Sequence, residues 1–253
     1  MAKRDQAVKK SSRQAHQQGD ADVLPFERSR KHRGQNLRAK PNERKRVECL
    51  NEAQGHYYLA MKSHQITFSD GPAGTGKSHV AVGLACEMLM DNEISQIVIT
   101  RPIQGVGEDM GFLPGELEEK FDPFFAPIRK IMESFMGYTH LDNLIKNERV
   151  IVAPLQFIRG HTFDSSFVIL DEAQNTTPEQ MKAFLTRIGK YTTFVINGDA
   201  EQIDIKGKSG LVEAMEIFKD HPKFGYAHFE ESDIVRSDIV KDIILGYRNK
   251  GKK

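Results

Sequence analysis

Gly71-Pro72-Ala73-Gly74-Thr75-Gly76-Lys77-Ser78 has the residue types of a phosphate-binding loop: Gly, four residues, then Gly-Lys-Ser/Thr. The glycines let the backbone turn tightly and bring its N–H groups up to a polyphosphate. Lys77 can set its ammonium beside the β- and γ-phosphates, and the Ser78 hydroxyl can take Mg²⁺. A helix beginning here turns its positive end toward the same anion. Downstream, Phe167-Val168-Ile169-Leu170-Asp171-Glu172 is an apolar strand ending in two carboxylates, the Walker B composition. Asp171 suits the Mg²⁺ that Ser78 also touches, and Glu172 suits orienting and deprotonating an attacking water. A glycine-rich turn that binds nothing, or an acidic strand end facing solvent, is the plain alternative for each stretch alone. Their order in one chain points to nucleotide hydrolysis.

Three further positions could join them. Gln202 or Asp199, after the apolar run Thr193–Asn197, can sense a γ-phosphate. Gln54 lies upstream of the loop, and its amide can donate to an adenine ring nitrogen and accept from the exocyclic amine. A solvent-facing Gln is the alternative there. Tyr57 or Tyr58 can stack on a base or pack in the core.

The elements that must hold these residues follow from periodicity. Val47 to Lys62 reads as a helix, Ile66-Thr67-Phe68 as a short strand and Val80 to Met90 as a buried helix. Ile97–Thr100, Val150–Ala153, Phe167–Leu170 and Thr193–Asn197 are continuous apolar runs suited to buried parallel strands. Arg101 and Arg159 follow strand ends, where ligands of open α/β sheets gather, so Arg101 can meet phosphate or nucleic acid there or form a structural ion pair. Residues 105–115 read as a Gly/Pro-rich loop. The aromatic stretch 116–137 reads as helical pieces broken at Pro123 and Pro127, its aromatics packing in a core or interface or stacking on bases. Leu141–Asn147, Pro178–Ile188, Ser209–Lys219 and Ser232–Arg248 complete the helices, with a strand near Gly225–Phe229. Alternating strands and helices, with about five strands, predict an α/β fold: a RecA-like P-loop NTPase core with a parallel sheet flanked by helices. The domain spans residues 47–248, and 249–253 read as a frayed tail. Adenine is favoured over guanine, since Asn249-Lys250-Gly251-Lys252 lacks the Asp of an Asn-Lys-x-Asp reader.

The net charge of +1 conceals an asymmetry. Residues 1–46 hold 14 Lys/Arg against 5 Asp/Glu, a net of +9, and the remainder holds 22 against 30, a net of −8. Poor in apolar residues, the first 46 read as a disordered basic arm, either binding nucleic acid or acting as a solubilising tail. No apolar run is long enough to cross a bilayer and the N-terminus has no signal-peptide core, so a cytoplasmic location is expected. Cys49 and Cys86 lie far apart without ligand-spaced partners, which fits a reducing compartment and argues against structural zinc.

With these motifs in order, the sequence resembles the PhoH-like ATPase family, related to superfamily 1 helicases. The resemblance runs from about Gln54 to Tyr247. It is carried by GPAGTGKS, TRP at 100–102, GFLPGELEEK at 111–120, APLQFIRGHT at 153–162, VILDEAQNTTPEQMKAFLTRIG at 168–189, NGDAEQIDI at 197–205, SGL at 209–211 and DIVRSDIV at 233–240. It implies ATP hydrolysis with Mg²⁺ and a link to RNA or single-stranded DNA. By position it implies phosphate and metal binding at Lys77 and Ser78, the Walker B pair at Asp171 and Glu172, and a γ-phosphate sensor at Gln202. It also implies the family's late arginine at Arg236 and the adenine glutamine at Gln54. Ser78 stands where many members have Thr, a neutral exchange for metal binding. No stretch reads as a nuclease-like addition. Superfamily 1 helicases place ATP between two RecA-like domains, and this chain has room for one. A missing arginine finger lowers kcat by about 10³ or more. A homo-oligomeric ring, for example a hexamer, is therefore expected, with Arg236, Arg101 or Arg159 completing a neighbour's site. The leading functional expectation is a nucleic-acid-stimulated ATPase of helicase or translocase type. An ATP-gated RNA-binding module and a small-molecule kinase are the alternatives.

Overall fold

Six short runs rich in Val, Ile and Phe pair into one sheet, and every pairing in it is parallel. The computed structural model describes residues 45–103, 117–158 and 160–237, together with 239, 240, 243 and 246. In chain order the elements are α1 (Glu52–Ser63), β1 (Ile66–Asp70), α2 (Lys77–Met90), β2 (Gln96–Arg101), α3 (Leu117–Met136) and α4 (Tyr138–Lys146). They continue with β3 (Val150–Pro154), β4 (Ser166–Leu170), α5 (Pro178–Leu185), β5 (Thr193–Gly198), α6 (Gly210–Phe218) and β6 (Phe224–His228). The sheet order is β3-β2-β4-β5-β1-β6. Parallel strands need crossovers, which is why helices cover both faces and the central strands are apolar on both sides.

Side chains alternate between those faces along each strand. Phe167 and Ile169 of β4 join a core with Tyr57 and Met61 of α1, Val80 and Leu84 of α2, and Ile128 and Met132 of α3. Val168 and Leu170 join a second core with Met181 and Phe184 of α5 and Leu211 of α6. α2 runs beneath α1 and α3, so its residues Val80–Glu87 are all buried. No helix among the described residues is long and apolar enough to cross a membrane.

The order of elements follows the sequence expectation, and several boundaries move. The sheet has six strands rather than about five. α1 begins at Glu52 rather than Val47, because the Asn51 side chain caps it by accepting from the Gln54 N–H at 2.9 Å. Residues 45–49 are not helical. The Val47 N–H there donates to Glu87 of α2, and Arg46 pairs with Asp91 at 2.6 Å. Pro123 and Pro127 do not break α3, which runs unbroken from Leu117 to Met136. Each proline removes one helical hydrogen bond. Burial of Phe125, Ile128, Met132 and Met136 along one stripe offsets that loss. α5 ends at Leu185, three residues short of the expected end, after a start set by Pro178 and the Thr177–Gln180 capping box. Residues 231–233 form a 3₁₀ turn, so no α-helix begins at Ser232. Residues 1–44 of the basic arm, the expected loop at 105–115, Arg159 and the 249–253 tail lie outside the described residues.

Candidate active site

The strand order brings three carboxyl ends together. The loop after β1, the acidic pair after β4 and the turn after β5 open on one cleft of about 690 Å³, within the usual size of a ligand pocket. β5 stands between β1 and β4, with Ser69 in register with Asn197 and Leu170 with Ile196.

The glycine loop is shaped by its neighbours. Gly71 has φ +141°, and a Cβ there would stand 2.3 Å from the Phe229 carbonyl oxygen. Gly76 has φ +88°, and a Cβ there would stand 2.6 Å from Gln54 Nε2. Both positions require glycine on conformational and steric grounds. Ala73, Gly74, Thr75, Gly76, Lys77 and Ser78 all line the cleft. Lys77 Nζ donates to the carbonyls of Gly71 and Pro72 at 2.5 and 2.9 Å. Burial lowers the Lys77 pKa, while Asp199, Asp171, Asp70 and Glu172 pull it back upward.

Ser78 Oγ donates to Asp171 Oδ1 at 2.9 Å, across the sequence distance that separates the two motifs. Asp171 Oδ2 accepts from Arg101 Nε at 3.0 Å and Nη2 at 2.5 Å. Of the two readings of Arg101, phosphate contact and structural ion pair, the structure shows the ion pair, on its own chain's Asp171. A hydroxyl and a carboxylate so placed are hard oxygen donors and fit Mg²⁺. Glu172 lies next along the chain with φ 56° and ψ 37°, a left-handed conformation unusual for a residue with a side chain. Its Oε2 accepts from Gln174 Nε2 at 2.9 Å, and Gln174 Oε1 accepts from the Asp199 N–H at 3.2 Å.

Gln202 and Arg236 line the same cleft. Gln202 Nε2 donates to Asp199 Oδ2 at 2.8 Å. Arg236 Cγ stands 3.1 Å from the position a Gly74 Cβ would take. Gln54 also borders the cleft but is 2 % exposed. Its Nε2 donates to the Thr75 carbonyl at 2.9 Å and its Oε1 accepts from the Leu50 N–H at 2.8 Å. One end of the amide therefore braces the glycine loop and the other the segment before α1, and reading adenine requires exchanging those bonds. Tyr57 is fully buried and donates to Asn197 Oδ1, so it is not a stacking platform.

Three features escaped the sequence reading: Asp171 as the partner of Arg101, the Gln174 bridge and the Tyr57–Asn197–Ser69 cluster. Gln174 alone carried a local signal, lying two residues beyond Glu172.

An all-parallel sheet with a glycine loop after β1, an acidic end on β4 and one strand between them defines a RecA-like P-loop NTPase core. Within that class the chain belongs to the PhoH-like family. Residues 46–248 match the family described as PhoH-like protein. A PhoH-like protein of Bacillus subtilis is 42% identical over 205 residues, covering 80% of this chain and 64% of the relative. Protein PhoH of Escherichia coli K12 is 40% identical over 205 residues, covering 79% and 58%. The chain thus spans less than two thirds of the length of these relatives. Among solved structures, the UvsW helicase from bacteriophage T4 superposes with a TM-score of 0.48 at 14% identity, covering 74% of this chain and 61% of that one.

Proposed function

We propose that this protein binds ATP with Mg²⁺ in the cleft and hydrolyses it, and that hydrolysis is coupled to RNA or single-stranded DNA. The observation that carries the ATP reading is the direct Ser78–Asp171 hydrogen bond of 2.9 Å, flanked by Lys77 on one side and Glu172 on the other. Lys77 exchanges the Gly71 and Pro72 carbonyls for phosphate oxygens, which offer it full negative charge in a site shielded from water. Ser78 and Asp171 are the residues that would hold Mg²⁺, which when bound neutralises charge on the β- and γ-phosphates. Glu172 takes the proton of the attacking water, and Gln174 keeps its carboxylate turned into the cleft. Gln202, tethered to Asp199, senses the terminal phosphate at the end of β5.

The nucleic-acid half of the proposal is supported by the family resemblance and by the net +9 of residues 1–46. Residues 47–248 form the hydrolysing domain and the arm supplies strand affinity. A ring of identical cytoplasmic subunits, a hexamer for example, completes the reading. Arg101 and Arg236 both line their own chain's cleft, so either acts there in cis unless assembly redirects it.

Steady-state hydrolysis of ATP with Mg²⁺, alone and with single-stranded RNA or DNA, is the test. Stimulation by a strand supports the coupled ATPase. Hydrolysis that no strand changes removes the nucleic-acid half, and absence of both binding and hydrolysis removes the whole proposal.

A further inference from the structure

Glu87 of α2 is a carboxylate only 7 % exposed, and no step of hydrolysis uses it. What it meets is the segment before α1. Its Oε1 accepts from the Val47 N–H, its Oε2 accepts from the Tyr58 hydroxyl at 3.2 Å, and Arg46 Nη1 stands 3.8 Å from Oε2. A buried carboxylate needs such donors, because burying an unpaired charge is costly. Val47 also seats in a notch that only glycine leaves open. A Cβ on Gly83 would stand 2.4 Å from Val47 Cγ2 and 2.7 Å from Phe135 Cζ. Lys45 reaches α3, where its Nζ donates to Ser134 Oγ at 3.2 Å and lies 4.7 Å from the centre of the Phe135 ring. Residues 45–50 are thus docked on two helices without being helix or strand themselves. Lys45, Arg46, Glu48 and Leu50 of this segment line the nucleotide cleft, whereas the anchor Val47 does not. The segment therefore has one side toward α2 and another toward the cleft. Segments held by a few solvent-accessible bonds open and close at low cost.

We propose that residues 45–50 are a nucleotide-binding strap, which bound nucleotide locks onto α2 and α3. The proposal rests on the ATP reading above. Lys45 and Arg46 bring positive charge to a polyphosphate ligand. Leu50, 69 % exposed at the cleft, offers apolar surface for the ligand to cover. Both gains exist only while the strap is docked, so docking and nucleotide binding strengthen each other by the same factor. Residues 1–44 join the domain at Lys45, which makes the strap the covalent link between the basic arm and the cleft.

Hydrogen exchange at the Val47 amide reads docking directly, because that N–H is released when the segment leaves Glu87. In the full chain, ADP with Mg²⁺ should slow this exchange about fivefold or more. A merely structural tether would leave the exchange indifferent to ADP. The variant Val47→Asp sets a second carboxylate against Glu87 and undocks the strap without altering a residue that lines the cleft. Calorimetry should show its ADP binding weakened about fivefold or more. If Val47→Asp does not fold, as a thermal melt will show, Val47→Ala takes its place, with a smaller loss in the same direction. Wild-type protein that binds ADP with unchanged Val47 exchange overturns the proposal alone, as does a folded Val47→Asp that binds ADP at the wild-type level. Wild-type protein that binds neither ADP nor ATPγS overturns the ATP reading and this proposal with it.

Discussion

Glu172 enters the cleft from a left-handed backbone, and a non-glycine residue keeps such a conformation only when its surroundings hold it. Gln174 and the neighbouring Asp171 network do so here. Replacing Glu172 by Gln should keep ATP binding, since Ser78, Asp171 and Lys77 are untouched, while kcat falls by about 10²- to 10⁴-fold. Single-turnover hydrolysis beside equilibrium ATP binding checks both parts, and retained turnover would remove Glu172 from the proton transfer. Lys77 supplies a pH dependence. Its folded pKa lies below the ordinary 10.5, chiefly through burial. Between the two values the unfolded chain binds more protons than the folded one, so the Lys77 contribution favours folding increasingly as pH rises there. Phosphate favours the ammonium form and draws the pKa back up, so nucleotide binding takes up a proton in that window. ADP affinity, measured from neutral pH to 10.5, should therefore begin to fall before 10.5 is reached. A flat profile would place Lys77 away from the phosphates.

Between elements, the junctions at β1, β4 and β5 decide geometry. Gln174 sits in the 3₁₀ turn Ala173–Asn175 after β4 and reaches both Glu172 and the backbone of Asp199 after β5. Gln174→Ala should lower kcat about tenfold or more while leaving ADP affinity unchanged, because it frees the Glu172 carboxylate without touching phosphate. Equal losses in binding and turnover would mark a general collapse of the site instead. At the end of β1, Gly71→Ala adds a Cβ 2.3 Å from the Phe229 carbonyl at a φ that disfavours side chains. Its cost should be about 2 kcal/mol or more, read by denaturant unfolding. The long helix α3 shows the opposite balance, where packing of its buried stripe overrides two internal prolines.

For the whole molecule, the proposed function divides the work between the basic arm and the P-loop domain. Removing residues 1–44 should weaken single-stranded RNA binding and flatten its salt dependence, by about 0.7 in the log–log slope for each phosphate that the arm neutralises. Hydrolysis without RNA should be unchanged. Unaltered RNA affinity would move the strand site onto the domain. The order of strands and helices, the glycine loop, the acidic pair and the turn after β5 were all readable in the linear chain. Apolar runs and glycine spacing are local properties, and they determine which segments become strands and which backbone can approach a phosphate. The boundaries of α1 and the continuity of α3 were not readable, because a side-chain cap and distant burial decide them. Nor were the partners of Gln54, Arg101, Gln174 and Asn197. Each partnership joins residues brought together by the order β4-β5-β1 and by the helices over it. The sequence by itself determined the chemistry on offer and the class of fold. Only the tertiary structure decided which side chains brace the loop and which carboxylate is already paired. Those outcomes depend on long-range register and packing, which no local pattern encodes.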